Sequence, residues 1–515
     1  MHALLLGIYA NAVQSMTNEL CLEAMNEDRS VLLSRYTAGV QYALHKAGFL
    51  QSSDLTTLQA YVLFLYSVST IIDPRSYSCL TAIADRIAKR DALHRGIQGE
   101  QLSAFDLEIR RRTWWHIVLL DSRAAEVSGS GTFVVDCQWK VNLPLNVNES
   151  DLNPETTSLP REYERATDML FCLIRCEAAE FHRKFRARRI LEEGCGNLKV
   201  PPLSLQEKLD SIDVFERHIE AKYLQYCDPQ LLLHDLSRYY ATYFLTKMRI
   251  ITYGAYLSRG PFENTKTKDD HQDNVIRICL EAIEAYHCRV QNLMSLKFAW
   301  YLANTPPFLA VVNLFYILRE RTEGELVARA WDIMGCQDEI FGRPDWICSF
   351  GPEMHEAKQG NMVATFAGLV VQAWEARRKV LGRENQIPMP RLMNKMKEVL
   401  GPLFRTKQST TLDKSNHEKI STSGQPNLGD ATKNWNVSDA APYSQPSIMS
   451  QPETGPPAEY APSINSAPPY MLDMPVDAYQ VDGSWVEGDE WPILFPDDGR
   501  GLNVDWDQIL FSMYQ

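Results

Sequence analysis

Along residues 1 to about 405, apolar side chains recur at intervals of three and four, and alternating β-branched runs are almost missing. That spacing follows the helical period of 3.6 rather than the strand period of 2. It predicts helices over 29–47, 55–72, 80–94, 104–127, 165–190, 205–224, 235–257, 273–294, 307–321 and 325–335. Proline-bearing breaks separate many of them, as in "DPRS" from Asp73, "PLNVNESDLNPE" from Pro144, and the Pro-Pro pairs at 201 and 306. No repeat of fixed period is visible, so a solenoid is not supported. The expected fold class is all-α, with residues 1–405 forming one large multi-helix domain.

Beyond Arg405 the pattern changes. Ser, Thr, Asn, Gln and Pro dominate, and residues 426–475 hold ten prolines. Such a segment cannot bury enough apolar surface to offset its ordering entropy, so 406–475 reads as a disordered linker. Residues 476–515 differ again. They set aromatics and aliphatics, among them Trp485, Trp491 and Phe495, between carboxylates. Near the end, Trp506, Ile509, Leu510 and Phe511 fall where a short helix would place 506, 509 and 510 on one face. That spacing suits docking of an amphipathic segment into an apolar groove. An acidic terminus without a partner is the plainer alternative.

Two segments need a decision about environment. In "EIRRRTWWHIVLLDSRAAEVSG", residues 108–129, only His116 interrupts the apolar run from Trp114 to Leu120. A helix apolar nearly all round is a buried one. Arg110, Arg111 and Arg112 cover about 200° of helical arc and cannot all share a face with the tryptophans. A base-stacking strip needs its aromatics exposed beside the charges. The expectation is therefore structural: Ile109, Trp114, Trp115 and Leu119 in the core, and the arginines bound to nearby carboxylates or helix C-termini. The second segment, Leu55–Ile72, is long enough to span a bilayer. It carries Gln59, has Asp54 and Asp73 at its ends, and lacks a basic flank, so it reads as a buried helix and no membrane partner is expected. The opening "MHALLLGIYANAV" has no Lys or Arg before its apolar run and does not read as a leader.

Charge and cysteine narrow the function classes. The net charge is −13, and residues 471–515 hold ten acidic residues against Arg500 alone. The helical body is thus close to neutral, which argues against a broad phosphate-binding surface. Eleven cysteines are scattered with no CxxC spacing; Cys172 and Cys176 come nearest, one helical turn apart. This suits reduced thiols in cytosol or nucleus and neither a disulfide framework nor a zinc module. No cofactor is expected.

No P-loop, GxGxxG, HExxH or GxSxG motif occurs. One enzyme-like motif stands out: "DDHQD", with Asp269, Asp270 and Asp273. Aspartates at this spacing in an all-α chain resemble the magnesium–diphosphate motif of isoprenoid synthases, where carboxylates hold Mg²⁺. The second metal motif of those enzymes is not found downstream. The alternative is acids placed before and within the first turn of a helix from 273, favoured by its dipole. The run "HRKFRARR", with Arg183, Lys184, Arg186, Arg188 and Arg189, is a candidate nuclear-import or nucleic-acid patch. As the end of a helix it also reads as a solvated face.

Several stretches together resemble the fungal-specific transcription factor regulatory domain, the middle homology region of zinc binuclear cluster factors. They are "HALLLGIYANAVQSM" from His2, "EDRSVLLSRYTAGVQYALHKAGFLQSSDLTTLQAYVLFL" from Glu27, "RIAKRDALHR" from Arg86, and the Arg-Arg-Arg-x-Trp-Trp helix. The similarity continues through "LDSRAAEVSG", which carries Asp121 and Arg123, and "LPLNVNESDLNP", and returns weakly between Lys297 and Trp331. It covers roughly residues 1–340, and the Arg-Trp-Trp helix followed by Asp-x-Arg is its most specific part.

The resemblance implies an α-helical domain lying after a six-cysteine zinc cluster that reads DNA. It further implies a nuclear location and control of a pathway, often a biosynthetic gene cluster. Two departures matter. Asp91 stands where the family usually carries an apolar residue, and the paired CxxC spacings of the DNA-reading module are missing. The expectation is a transcriptional regulator that reaches DNA indirectly or through a module encoded upstream. It would meet the transcription machinery or a co-activator through its acidic tail, with homo- or heterodimerisation open. An all-α enzyme using the Asp269 cluster, or a ligand-sensing scaffold, is the alternative.

Overall fold

The computed structural model describes residues 1–69, 71–96, 102–128, 139–155, 158–193, 201–257, 265–293, 298, 300–301, 305–336 and 359–381. Among these residues every regular element is helical. The first seven helices are α1 (His2–Ser15), α2 (Asn18–Met25), α3 (Arg29–Lys46), α4 (Leu55–Val68), α5 (Pro74–Arg90), α6 (Ala104–Ser128) and α7 (Leu170–Glu193). They are followed by α8 (Leu205–Lys222), α9 (Leu232–Leu257), α10 (Thr265–Leu293), α11 (Phe308–Leu318), α12 (Glu325–Cys336) and α13 (Gln359–Val380). No described helix is long and apolar enough to cross a membrane. The boundary at 405, the 406–475 linker and the 476–515 tail lie outside the described residues.

Capping side chains decide where several helices begin. Asp54 accepts the N–H groups of Thr56 and Thr57, each at 3.2 Å, and so starts α4. The sequence pattern begins the next helix at residue 80, but α5 starts at Pro74. Asp73 accepts the N–H groups of Arg75 and Ser76, each at 3.1 Å. Proline at the first helical position costs nothing because its missing N–H would be unsatisfied there. The apparent breaker is a start signal. α8 opens with a capping box between Ser204 and Glu207. α7 begins at Leu170 rather than 165, because the Asn146 amide donates to the carbonyls of Tyr163 and Arg165 at 2.6 and 3.0 Å. Those carbonyls are thereby held out of a helix.

Packing gathers the described helices around three main apolar clusters. α1 lies against α3 and α4. Gly7 makes the contact with α4 close, since a Cβ there would stand 3.0 Å from that of Leu63. Asn11 donates its amide to the Leu63 carbonyl at 2.8 Å and fixes the register of the pair. α4, α5 and α6 complete this first cluster, whose centre holds Leu65, Trp114, Trp115 and Ile117. α7, α8 and part of α9 form the second, with Leu173, Ile212 and Leu245. The end of α9 with α10 to α13 forms the third, around Phe315, Leu318 and Leu369. Each fully buried Leu or Ile contributes roughly 1.5–3 kcal/mol relative to exposure.

Candidate functional site

α6 is the best-buried long helix of the first cluster, and its first two turns carry the charges. Ser103 starts it by accepting the N–H of Asp106 at 3.0 Å. One turn later Glu108 is fully buried. It lies at i−3 from Arg111 and i−4 from Arg112, so both guanidiniums reach it, Arg111 at 2.9 Å and Arg112 at 3.0 Å. The Leu145 backbone N–H also donates to Glu108, at 3.0 Å. Arg112 continues to Glu149 at 2.7 Å. Arg110 turns the other way and donates to the carbonyl of Asp91, the C-cap of α5, at 2.6 Å. The departure at Asp91 thus sits at a helix end held by arginines on both sides, since Arg90 also pairs with its carboxylate at 3.1 Å.

The segment from Trp139 to Asp151 acts as a strap across this helix. The Trp115 indole N–H donates to the Asn142 carbonyl at 2.8 Å. Trp139 packs edge-on against Trp114 and Trp115, with ring centroids 5.5 and 5.2 Å apart. Arg183 of α7 lies over the outer face of Trp139 at 4.5 Å. At the far end of α6, Asp121 is buried, and Arg123 pairs with Glu126 at 3.3 Å. Glu126 also meets Lys247 of α9 at 2.7 Å. Burial opposes ionisation of Glu126, yet Lys247 and Arg123 hold its carboxyl down to about 2.

The basic run on α7 is largely engaged. Arg183 pairs with Glu180 at 2.7 Å, and Lys184 reaches the same carboxylate at 3.3 Å. Arg188 meets Glu192 at 3.5 Å and the Pro201 carbonyl at 3.2 Å. Arg183, Arg186, Arg188 and Arg189 are all part-buried, while Lys184 is exposed. The aspartate motif is placed differently from expectation. α10 starts at Thr265, so Asp269 and Asp273 lie inside it rather than at its first turn. Lys266 and Lys268 carry the helix back past the aspartates. Both acids face Arg321, at 3.4 and 2.9 Å, so an arginine takes the position a metal would need. Among the described residues no three His, Cys, Asp or Glu side chains gather in a ligand set.

Residues 2–190 match the fungal specific transcription factor domain family, a span that runs from α1 almost to the end of α7. That stretch belongs to this family. The chain is 31% identical over 395 residues to the aurofusarin cluster transcription factor aurR2 of Gibberella zeae, covering 76% of this chain and 56% of that relative. It is 29% identical over 384 residues to the transcriptional regulator AacuB of Aspergillus aculeatus, covering 74% and 50%. It is 27% identical over 384 residues to the pyriculol/pyriculariol biosynthesis cluster transcription factor 1 of Pyricularia oryzae, covering 73% and 49%. The chain spans about half the length of these curated relatives. No solved structure matches it.

On the structure, the fungal transcription factor domain comprises the first apolar cluster, the strap and α7. Glu108 and Trp139 organise it, and sequence reasoning named neither as a site residue. For Glu108 the signal was present: a carboxylate at i−3 and i−4 from two arginines at the head of an apolar run. Trp139 offered none, because its partners lie more than twenty residues away. Within the domain, Glu108, Arg110, Arg112 and Glu149 are engaged in holding strap, α5 and α6 together. Asp269 and Asp273 lie beyond it.

Proposed function

We propose that the chain is a transcriptional regulator acting in the nucleus on a fungal biosynthetic gene cluster. The 31% identity over 395 residues to a cluster transcription factor carries the reading, because it extends across and beyond the domain. The described helices serve as its regulatory body. Many of their charged residues pair with one another, as Arg112 does with Glu108 and Glu149, and the chain's net charge of −13 disfavours broad DNA contact. DNA is therefore reached through a separate module or a partner chain. The acidic tail supplies the contact with a co-activator, through Trp506, Ile509, Leu510 and Phe511 set among carboxylates.

The test is a tether. The full chain, fused to an unrelated DNA-binding domain, should activate a reporter carrying that domain's site. Replacing Trp506, Leu510 and Phe511 together with Ala should abolish activation without changing expression. Equal activation by the triple variant removes the tail from the mechanism, and repression or silence of the wild-type fusion contradicts the activating role.

A further inference from the structure

Polar side chains form inward-facing stripes where α4, α6, α7 and α9 converge. On α6, His116, Arg123 and Glu126 follow at spacings of seven and three. On α7, Phe171, Arg175 and His182 follow at four and seven, and on α9, Tyr240, Tyr243 and Lys247 at three and four. These are the intervals at which a helix presents one face. A face turned into a domain ordinarily carries Leu and Ile, and here it carries phenols and cations.

Burial raises the phenols of Tyr66, Tyr240 and Tyr301, while Glu126 at the end of the α6 stripe is exposed. Yet none of the three is sealed, nor are Arg175, Tyr243 and His116; all keep accessible surface.

Arg175 is the unmatched element. Glu126 is taken by Lys247 and Arg123, at 2.7 and 3.3 Å. Among the described residues no carboxylate pairs with Arg175, whose charged neighbours are replaced by the phenols of Tyr66, Tyr240 and Tyr301, and its Nε is buried without a hydrogen-bond partner. Its guanidinium lies over the rings of Phe171 and Tyr301, at 5.5 and 5.7 Å. Arginine cannot shed its proton to escape this, and a buried, unpaired charge is costly. His116, the partner of Tyr66 at 3.1 Å, is kept neutral by burial and by Arg175, its titration lowered to about 4. Lys247 and Arg123 thus share Glu126, and Arg175 is left among aromatic rings.

We infer that a chamber opens between these stripes and binds a small aromatic anion, an aryl carboxylate or acidic phenol, with its charged oxygens on Arg175 and its ring among Phe171, Tyr240 and Tyr301. Planar oxyanions match the two-pronged guanidinium, and offset or edge-on rings suit the walls. Hydroxyl groups on the ligand would meet the phenols of Tyr66 and Tyr243. The binding stands on this geometry and not on the transcriptional role.

The experiment is a thermal-shift and calorimetric titration of the full chain with 3-hydroxy-2-naphthoate, using 2-naphthol as the neutral probe and acetate as the non-aromatic one. The naphthoate should bind saturably and raise Tm, with the neutral and the non-aromatic probes at least about tenfold weaker. Arg175→Met should lose the naphthoate response by a similar factor while its ligand-free Tm stays equal or rises, since an unpaired charge is removed. A purely structural arginine would instead lower the ligand-free Tm on removal. If that variant does not fold, Tyr240→Trp, which fills the chamber and leaves every charge in place, should abolish binding. No saturable binding by the wild type, equal binding of naphthoate and naphthol, or undiminished binding by the variants each overturns the inference. All of these are read on purified protein, so their failure leaves the transcriptional reading standing.

Discussion

The carboxylate of Glu108, fully buried on α6, accepts the backbone N–H of Leu145 in the strap at 3.0 Å. With Arg111 and Arg112 on its other side, Glu108 couples helix, strap and guanidiniums in one network. Glu108→Ala takes the carboxylate from the part-buried Arg111 and from the Leu145 N–H, and leaves Arg112 with Glu149 alone. Removing one member of a buried pair costs roughly 3–5 kcal/mol. Urea denaturation should show that loss, with Glu108→Gln intermediate because its amide oxygen still accepts from Leu145. A change below about 1 kcal/mol would show that the strap is held elsewhere.

The two tryptophans should differ. Trp115 donates to Asn142 at 2.8 Å, whereas the indole N–H of Trp114 is buried without a partner. Either change to Ala should cost roughly 3–5 kcal/mol, from lost transfer energy and the cavity left behind. With Phe the ranking separates. Trp115→Phe also loses the hydrogen bond to the Asn142 carbonyl, adding about 0.5–1.5 kcal/mol, while Trp114→Phe removes an unsatisfied donor and should be the milder change. Melting temperatures in the reverse order would refute the assignment of the hydrogen bond.

Acid should destabilise the fold from below neutrality. His116 and His182 are both lowered to about 4, by burial first and then by neighbouring cations. Between about pH 6.5 and 4 the unfolded chain binds protons that the folded chain refuses, so stability falls as pH falls, by at most about 1.4 kcal/mol per pH unit for each histidine. Glu126, depressed to about 2, adds a loss in the same direction below its unfolded value of 4.5. Urea midpoints at pH 5 should lie below those at pH 7, and His182→Gln should flatten part of the slope. A midpoint independent of pH across that window would contradict the neutral histidines.

Asp269→Asn with Asp273→Asn releases Arg321, which is only a quarter exposed. Ion pairs of this kind are worth about 0.2–1 kcal/mol each. Reporter activation by the tethered full chain should be unchanged. Loss of activity without loss of stability would return a chemical role to the cluster.

How legible was this in the sequence? The helical class, the buried α6 and the inward tryptophans follow from periodicity, because apolar spacing reports directly on what a helix buries. The start of α5 at Pro74 was also readable, from Asp73 as a cap. It was obscured by treating proline only as a breaker. The start of α7 was not readable, since it depends on Asn146 reaching carbonyls about twenty residues on. Arg175 left a faint trace, a single cation inside the apolar run "MLFCLIRC". What it faces depends on α4, α6 and α9, which only the fold brings together.

The most direct test of the regulatory role is transcript measurement in the source fungus. Deleting the gene should change the transcripts of one biosynthetic cluster by at least about tenfold, the scale of 1.4 kcal/mol in a regulatory equilibrium. Wild-type protein should restore them, and Glu108→Ala should not. Cluster transcripts unchanged by the deletion, under conditions where the protein is made, would contradict the account.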